Sequence, residues 1–179
     1  MKGIIVFFLI AQFLGAAGYR TYKMDMDFFR CLIPSDWKIE RDADKDKQSS
    51  IYKLVLIHPS NPKVSITLKY YTANSGKNYK DFIEKNSKTE DGKLEGPNER
   101  YENVKEIKIS QRKAFEINRR LKEFESVELK SDYYWLKERI IVVPAKKGFY
   151  TLTFSCDEKI FSKILPIFEN VVRSFRMLY

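Results

Sequence analysis

Residues Gly148–Phe175, with the sequence GFYTLTFSCDEKIFSKILPIFENVVRSF, contain the clearest structural pattern in the chain. Alternating apolar residues predict a strand over Phe149–Cys156. Asp157 is a good cap for a helix that follows at once. Pro166 is expected to interrupt that helix or to restart it as a first-turn proline. Apolar side chains at helical spacing then form one stripe: Ile160, Phe161, Ile164, Leu165, Ile167, Phe168, Val171, Val172 and Phe175.

The rest of the chain contains more strand patterns than helix patterns. One helix is predicted after the capping residue Asn78, because Tyr79, Phe82 and Ile83 lie on one face. Tyr19–Asp25 is expected to be a polar lead-in, and Asp42–Ser50 a solvated loop. Strands are predicted at Phe28–Ile33, Ile51–Ile57, Val64–Tyr71, Val104–Ile109, Ala114–Leu121 and Tyr133–Val143, with a hairpin loop at Pro144–Gly148.

This order of elements predicts an α+β protein. Because hairpin loops dominate, the central sheet should be largely antiparallel, with helices packed on it. The chain has 179 residues, of which 44% are hydrophobic and 15% aromatic. A chain of this length can bury a core without a metal or a disulfide. We expect a signal peptide at residues 1–18, a lead-in segment at 19–26 and one domain at 27–179.

The first residues have the pattern of an export signal. Lys2 is followed by the apolar run Ile4–Leu14 and then by small residues up to Gly18. The run is shorter than the roughly 20 residues that span a bilayer. We expect cleavage near Ala17 or Gly18 and a periplasmic or extracellular protein; an uncleaved N-terminal anchor is the alternative. No cysteine lies near the cleavage region, so lipid attachment is not expected.

The formal net charge of +9 favours an anionic partner. Export argues against nucleic acid and leaves an acidic envelope protein or an anionic surface, including peripheral contact with a membrane. Ordinary solubility and protection of strand edges by lysine explain such residues equally well. The candidate partner-binding residues lie near predicted strand ends or on a hairpin tip: Arg112, Lys113, Arg119, Arg120, Lys146 and Lys147.

No combination of residues predicts an enzyme or a cofactor. A Cys156–His58 hydrolytic dyad is conceivable, but no oxyanion loop surrounds the cysteine. His58 is the only histidine, and two cysteines with one histidine do not complete a zinc site without carboxylates. The glycines form no phosphate-binding motif. We therefore predict no catalytic residues, no cofactor and no metal.

Cys31 and Cys156 both alternate with apolar residues, so each is expected to face a core. Burial makes a thiol inert, which weakens the nucleophile hypothesis for Cys156. An exported protein meets oxidising conditions, so the two form a candidate disulfide. Two separately buried thiols fit the sequence equally well.

Five segments together resemble PsbP-like domains, the fold of the extrinsic photosystem II subunit and its bacterial relatives. The resemblance covers Asp27–Met177 and is most specific in the order of strand, capped helix, central proline and terminal Ser174-Phe175. The segments are FRCLIPSDWKI (29–39), YKLVLIHP (52–59), VSITLKYY (64–71), NYKDFIEK (78–85) and the closing stretch at 148–175.

The resemblance implies an α/β/α sandwich around an antiparallel sheet. It implies a protein that docks on larger assemblies or binds partner proteins without catalysis. Metal sites attributed to photosynthetic members use histidine, and with one histidine here no metal site is carried over.

The expected function is therefore an exported, monomeric, non-catalytic binding or accessory module of the cell envelope. Two alternatives remain, a hydrolase that uses Cys156 and a carrier of a small apolar ligand between sheet and helix. The carrier hypothesis rests on the aromatic residues Tyr133, Tyr134, Trp135, Phe149 and Tyr150.

Overall fold

The computed structural model describes residues 18–124 and 133–177. In chain order its elements are β1 (Tyr19–Lys23), β2 (Phe29–Pro34), β3 (Lys38–Glu40), α1 (Ala43–Ser49), β4 (Ile51–His58), β5 (Asn61–Thr72), α2 (Tyr79–Asn86), β6 (Glu99–Tyr101), β7 (Lys105–Ile109), β8 (Arg112–Phe124), β9 (Tyr133–Ala145), β10 (Gly148–Asp157), α3 (Glu158–Ser174) and β11 (Arg176–Met177). Short 3₁₀ turns lie at Asp25–Asp27 and Ala73–Ser75.

The strands form two antiparallel sheets. The large sheet has the order β3-β4-β5-β10-β9-β8-β6, with β7 also paired to β8. The small sheet has the order β1-β2-β11. β10 lies at the centre of the large sheet between β5 and β9, so the strand that begins the closing stretch is also the most enclosed.

One face of the large sheet carries the main core. Alternate residues of β10 point into it and meet the apolar stripe of α3 and the inner face of the small sheet. Tyr150 stacks on Tyr70 with ring centroids 4.5 Å apart, and its hydroxyl donates a hydrogen bond to the Phe28 carbonyl at 2.9 Å. Aromatic side chains thus join the two sheets, as their large buried surfaces suit them to do.

The other face of the large sheet carries a smaller core under α2. Phe82 of α2 packs on Tyr71 and Phe149, whose rings are stacked at 4.4 Å. The side chain of Asn78 accepts a hydrogen bond from the Lys80 backbone N–H and caps the helix. Helices therefore lie on both faces of an antiparallel sheet, which confirms the predicted α+β sandwich.

Two segments differ from the sequence predictions. Tyr19–Lys23, predicted as a polar lead-in, is β1 and pairs with β2. Ala43–Ser49, predicted as solvated loop, is α1, and it has no apolar stripe because its one buried side chain is Asp46. The short strands β3, β6 and β11 were not predicted either.

Pro166 lies inside α3, which runs without interruption, so the predicted interruption or restart is wrong. A proline in a helix removes one backbone hydrogen bond to the carbonyl four residues earlier. Here that residue is Ser162, and both it and Pro166 are exposed. Water can therefore bind the freed carbonyl, and the helix continues.

Candidate functional site

Four of the six candidate basic residues lie at one end of the large sheet. β8 begins at Arg112 and β9 ends at Ala145, and the antiparallel register that pairs Phe115 with Val142 brings these ends side by side. The turn between β9 and β10 contains Lys146 and Lys147 at the same end. We call this the basic end and define it by Lys108, Arg112, Lys113, Lys146, Lys147 and Arg176, all of which are exposed.

Two tight turns hold the basic end in place. Ser110 and Gln111 connect β7 to β8, with φ angles of 49° and 66°. Positive φ at both central residues is typical of the type I′ hairpin turn. Lys146 and Lys147 form the other turn, inside the predicted hairpin loop, and Gly148 after it has a φ of 129°. The cations are therefore displayed on hairpins rather than on a long loop.

The small sheet contributes the last cation. The guanidinium of Arg176 on β11 donates hydrogen bonds to the carbonyls of Arg173 and Phe175, and to Ser110 Oγ at 3.3 Å. It therefore lies beside the β7–β8 turn. Sequence reasoning missed Arg176 because the pairing of β11 was not predicted. It missed Lys108 because the register of β7 and β8, which pairs Lys108 with Lys113 at the basic end, was not predicted.

Arg119 and Arg120 do not belong to the basic end. Arg119 lies in the middle of β8, where its Nε is 2.6 Å from Glu138 and its side chain is 19% exposed. Arg120 forms an ion pair with Glu158 at 3.2 Å. Both guanidinium groups have carboxylate partners within the fold, so the proposal of these two residues as a partner-binding surface is not supported by their positions.

Of the aromatic residues behind the carrier hypothesis, Phe149 and Tyr150 fill the two cores. They are 1% and 0% exposed. Tyr133, in contrast, is 49% exposed at the end of β9, with Lys122 above its ring. These three residues therefore do not line one cavity.

The arrangement around Cys156 does not favour a nucleophile. Burial raises the pKa of its thiol to about 12, and the charge of Asp157 adds to the effect. A thiol with such a pKa carries almost no thiolate at neutral pH. The His58 ring meets Trp37 edge-on, and its Nδ1 accepts the Ser60 N–H at 3.2 Å. Within the described part of the chain no hydrogen bond joins Cys156 to His58.

The candidate Cys31–Cys156 disulfide is not formed in the structure. Both cysteines are free and buried, Cys31 on β2 of the small sheet and Cys156 on β10 of the large sheet. Burial raises the pKa of the Cys31 thiol to about 12 as well. The second alternative from the sequence, two separate core thiols, is the one observed.

Alkylation tests this assignment of the cysteines. Because both thiols are buried, the folded protein should react slowly with iodoacetamide at neutral pH. Denaturation without a reductant should then give two adducts by mass spectrometry. Adducts that form only after reduction would show that the cysteines are bridged.

Within residues 18–124 and 133–177, no three or more His, Cys, Asp and Glu side chains are grouped in a way that could hold a metal ion. No helix in these ranges is long and apolar enough to cross a membrane.

Comparison with known proteins identifies the fold and the family. The family model of PsbP matches residues 17–177. The solution structure of cyanobacterial PsbP (CyanoP) from Synechocystis sp. PCC 6803 is similar, with a TM-score of 0.57 and 14% identity over 92% of this chain and 95% of that one. No match was found among curated proteins.

Two other solved structures have the same fold at lower identity. The Ran-binding protein Mog1p of Saccharomyces cerevisiae has a TM-score of 0.51 and 9% identity over 91% of this chain and 97% of that one. A protein of Bacteroides thetaiotaomicron VPI-5482 has a TM-score of 0.56 and 10% identity over 91% of this chain but 49% of that one. At such identities the likeness concerns the fold alone. The family model covers nearly the whole chain, and the protein belongs to the PsbP family.

Proposed function

We propose that this protein is an exported, non-catalytic binding module of the cell envelope that docks on an acidic partner protein through the basic end. The observation that carries the proposal is the collection of Lys108, Arg112, Lys113, Lys146, Lys147 and Arg176 at one end of the sheet. Membership of the PsbP family and the similar fold of Mog1p, a Ran-binding protein, support a binding role.

The charges of the basic end are suited to recognition. Within the described residues, Lys113 forms an ion pair with Glu106, whereas Arg112, Lys146 and Lys147 have no carboxylate partner. Exposed cations that are close together raise the local potential and speed association with an anionic partner. Because they lie on tight hairpins, little backbone ordering is needed when the partner binds.

Export is part of the proposal and rests on the sequence pattern of the predicted signal peptide at residues 1–18. Residues 1–17 of that segment lie outside the described residues. In this proposal the module is a monomer, and the basic end is exposed to the envelope.

Reversing the charge of the β9–β10 turn should abolish docking. The wild type is expected to retain a partner from native envelope extract. In the variant with Lys146→Glu and Lys147→Glu, the amount of retained partner should fall by at least about tenfold, because two attractive charges become repulsive. Retention by the wild type should fall as salt rises. The measurement is quantitative mass spectrometry of pull-downs at low and high salt.

The matched control is Lys159→Glu with Lys163→Glu, which changes the same charge on exposed positions of α3. It should retain the partner as the wild type does. Equal loss in both double variants would mean that net charge, not the basic end, is recognised.

Vesicles of phosphatidylcholine and phosphatidylglycerol form a third arm of the experiment. Suppose that only the vesicles bind the wild type, and that the variant with Lys146→Glu and Lys147→Glu does not bind them. The docking target is then the membrane surface, and the protein-partner proposal is wrong.

A further inference from the structure

A cleft of about 490 Å³ lies on the second face of the large sheet, beside α1. Its floor is made by β4 and β5 and includes the apolar parts of Ile51, Val55 and Tyr71. Clefts of roughly 300–1,000 Å³ with an apolar lining and a few polar groups are typical of small-molecule sites. The cleft thus has the size and the floor of a ligand site.

A buried ion pair fixes the wall of the cleft. Asp46 of α1 is 4% exposed and accepts hydrogen bonds from Arg41 Nε at 3.1 Å and from the Lys53 backbone N–H at 3.0 Å. Arg41 also pairs with Asp25 at 2.9 Å. These bonds attach α1 to β4, so the cleft is preformed.

Two lysines face each other in the cleft. Lys53 on β4 and Lys69 on β5 are directly opposite in the antiparallel register, and both line the cleft. Like charges directly opposite each other destabilise a sheet. Burial lowers the pKa of Lys69, and the charge of Lys53 lowers it further, while Glu138 acts in the opposite direction.

The carboxylates of the cleft do not compensate these lysines. Asp46 is paired with Arg41, Glu40 is paired with Lys38 at 2.7 Å, and Asp42 caps α1. Among the described residues no carboxylate forms an ion pair with Lys53 or Lys69. The lining contains four cations (Arg41, Lys45, Lys53 and Lys69) against three carboxylates (Glu40, Asp42 and Asp46), a net charge of +1.

We propose that this cleft binds a small amphipathic carboxylate, with its carboxylate between Lys53 and Lys69 and its apolar body over Ile51, Val55 and Tyr71. A single negative charge matches the net charge of the lining. It would also replace the repulsion between the ammonium groups by two charge-assisted hydrogen bonds. A phosphate group is a poorer fit, because the one guanidinium in the lining, that of Arg41, is held by Asp25 and Asp46.

Decanoate below its micelle concentration is a suitable probe, and titration calorimetry of the purified protein measures its binding. Loss of one charge-assisted hydrogen bond should weaken binding by about tenfold or more, and we expect this for Lys69→Met and for Lys53→Met. Methionine keeps the apolar stem and removes the charge. The control Lys163→Met makes the same change at an exposed position of α3 and should bind decanoate as the wild type does.

Misfolding would not explain such a loss. Removing one of two opposed lysines should leave the melting temperature equal to or above that of the wild type, because the repulsion is gone. Binding by the wild type should also weaken as pH rises through the pKa of Lys69, which is below that of an ordinary lysine.

Three results would overturn the proposal. The first is decanol binding as tightly as decanoate, since an uncharged head group cannot use the lysines. The second is inorganic phosphate binding as tightly as decanoate, since that would make the site a simple anion site. Unchanged decanoate affinity in Lys69→Met and Lys53→Met would show that the cleft is not the binding site. This test does not involve the basic end, so its outcome is independent of the docking proposal.

Discussion

Replacing Gly148 with alanine should destabilise the protein by roughly 3 kcal/mol or more. Gly148 ends the β9–β10 turn with a φ of 129°, a conformation that residues with a Cβ rarely adopt. A Cβ at this position would also overlap the Tyr71 backbone carbonyl oxygen on the neighbouring strand β5. Because that atom is backbone in the middle of the sheet, it cannot move aside as a flexible side chain could.

Urea denaturation measures the effect, and Gly76→Ala is the matched control. Gly76 also has a positive φ, 66°, but nothing lies within 4 Å of the site of a Cβ. That change should cost only about 1 kcal/mol, the usual cost of placing alanine in a left-handed conformation. Equal losses at the two glycines would contradict the close approach of β10 and β5.

Phe154→Ala should lower the free energy of unfolding by about 3–5 kcal/mol. Phe154 is 0% exposed, and its ring lies 4.8 Å from Phe161 and 5.6 Å from Phe168, measured between centroids. Its removal would leave a cavity between the central strand and both halves of α3. The packing of α3 on the sheet depends on this contact.

Phe124→Ala is the control for this prediction, since Phe124 is 40% exposed near the end of β8. It should cost less than about 1 kcal/mol by the same urea measurement. Phe154→Leu keeps most of the side-chain volume. Its loss of unfolding free energy should therefore lie between the losses for Phe154→Ala and Phe124→Ala. A loss at Phe154 no greater than at Phe124 would mean that α3 is not packed as described.

The elements that were predictable from sequence bury an alternating or helical set of apolar residues. β10 and α3 are the clearest examples, because each packs one apolar face against the core. The helix α1 could not be predicted in this way, since it is attached by the polar pair Asp46–Arg41 rather than by apolar packing. β1 and β11 are short edge strands whose residues alternate weakly, and they form only because β2 lies between them.

The candidate sites depend on strand register, which the sequence pattern does not contain. Lys146 and Lys147 were predictable as a hairpin tip, but their position beside Arg112 follows from the pairing of β8 with β9. Lys53 and Lys69 each look like an ordinary solvated strand residue, and their opposition appears only in the pairing of β4 with β5. Arg119 shows the converse, since a charge that looked exposed has a carboxylate opposite it.

Site-specific photo-crosslinking in the organism that makes the protein tests the docking role of the basic end. A photoreactive residue at Lys146 is predicted to give a discrete crosslinked adduct with an acidic envelope protein. The same residue at Lys163, on the exposed side of α3, is predicted to give none. No adduct from Lys146, or the same adduct from both positions, would contradict the proposal that the basic end is the docking surface.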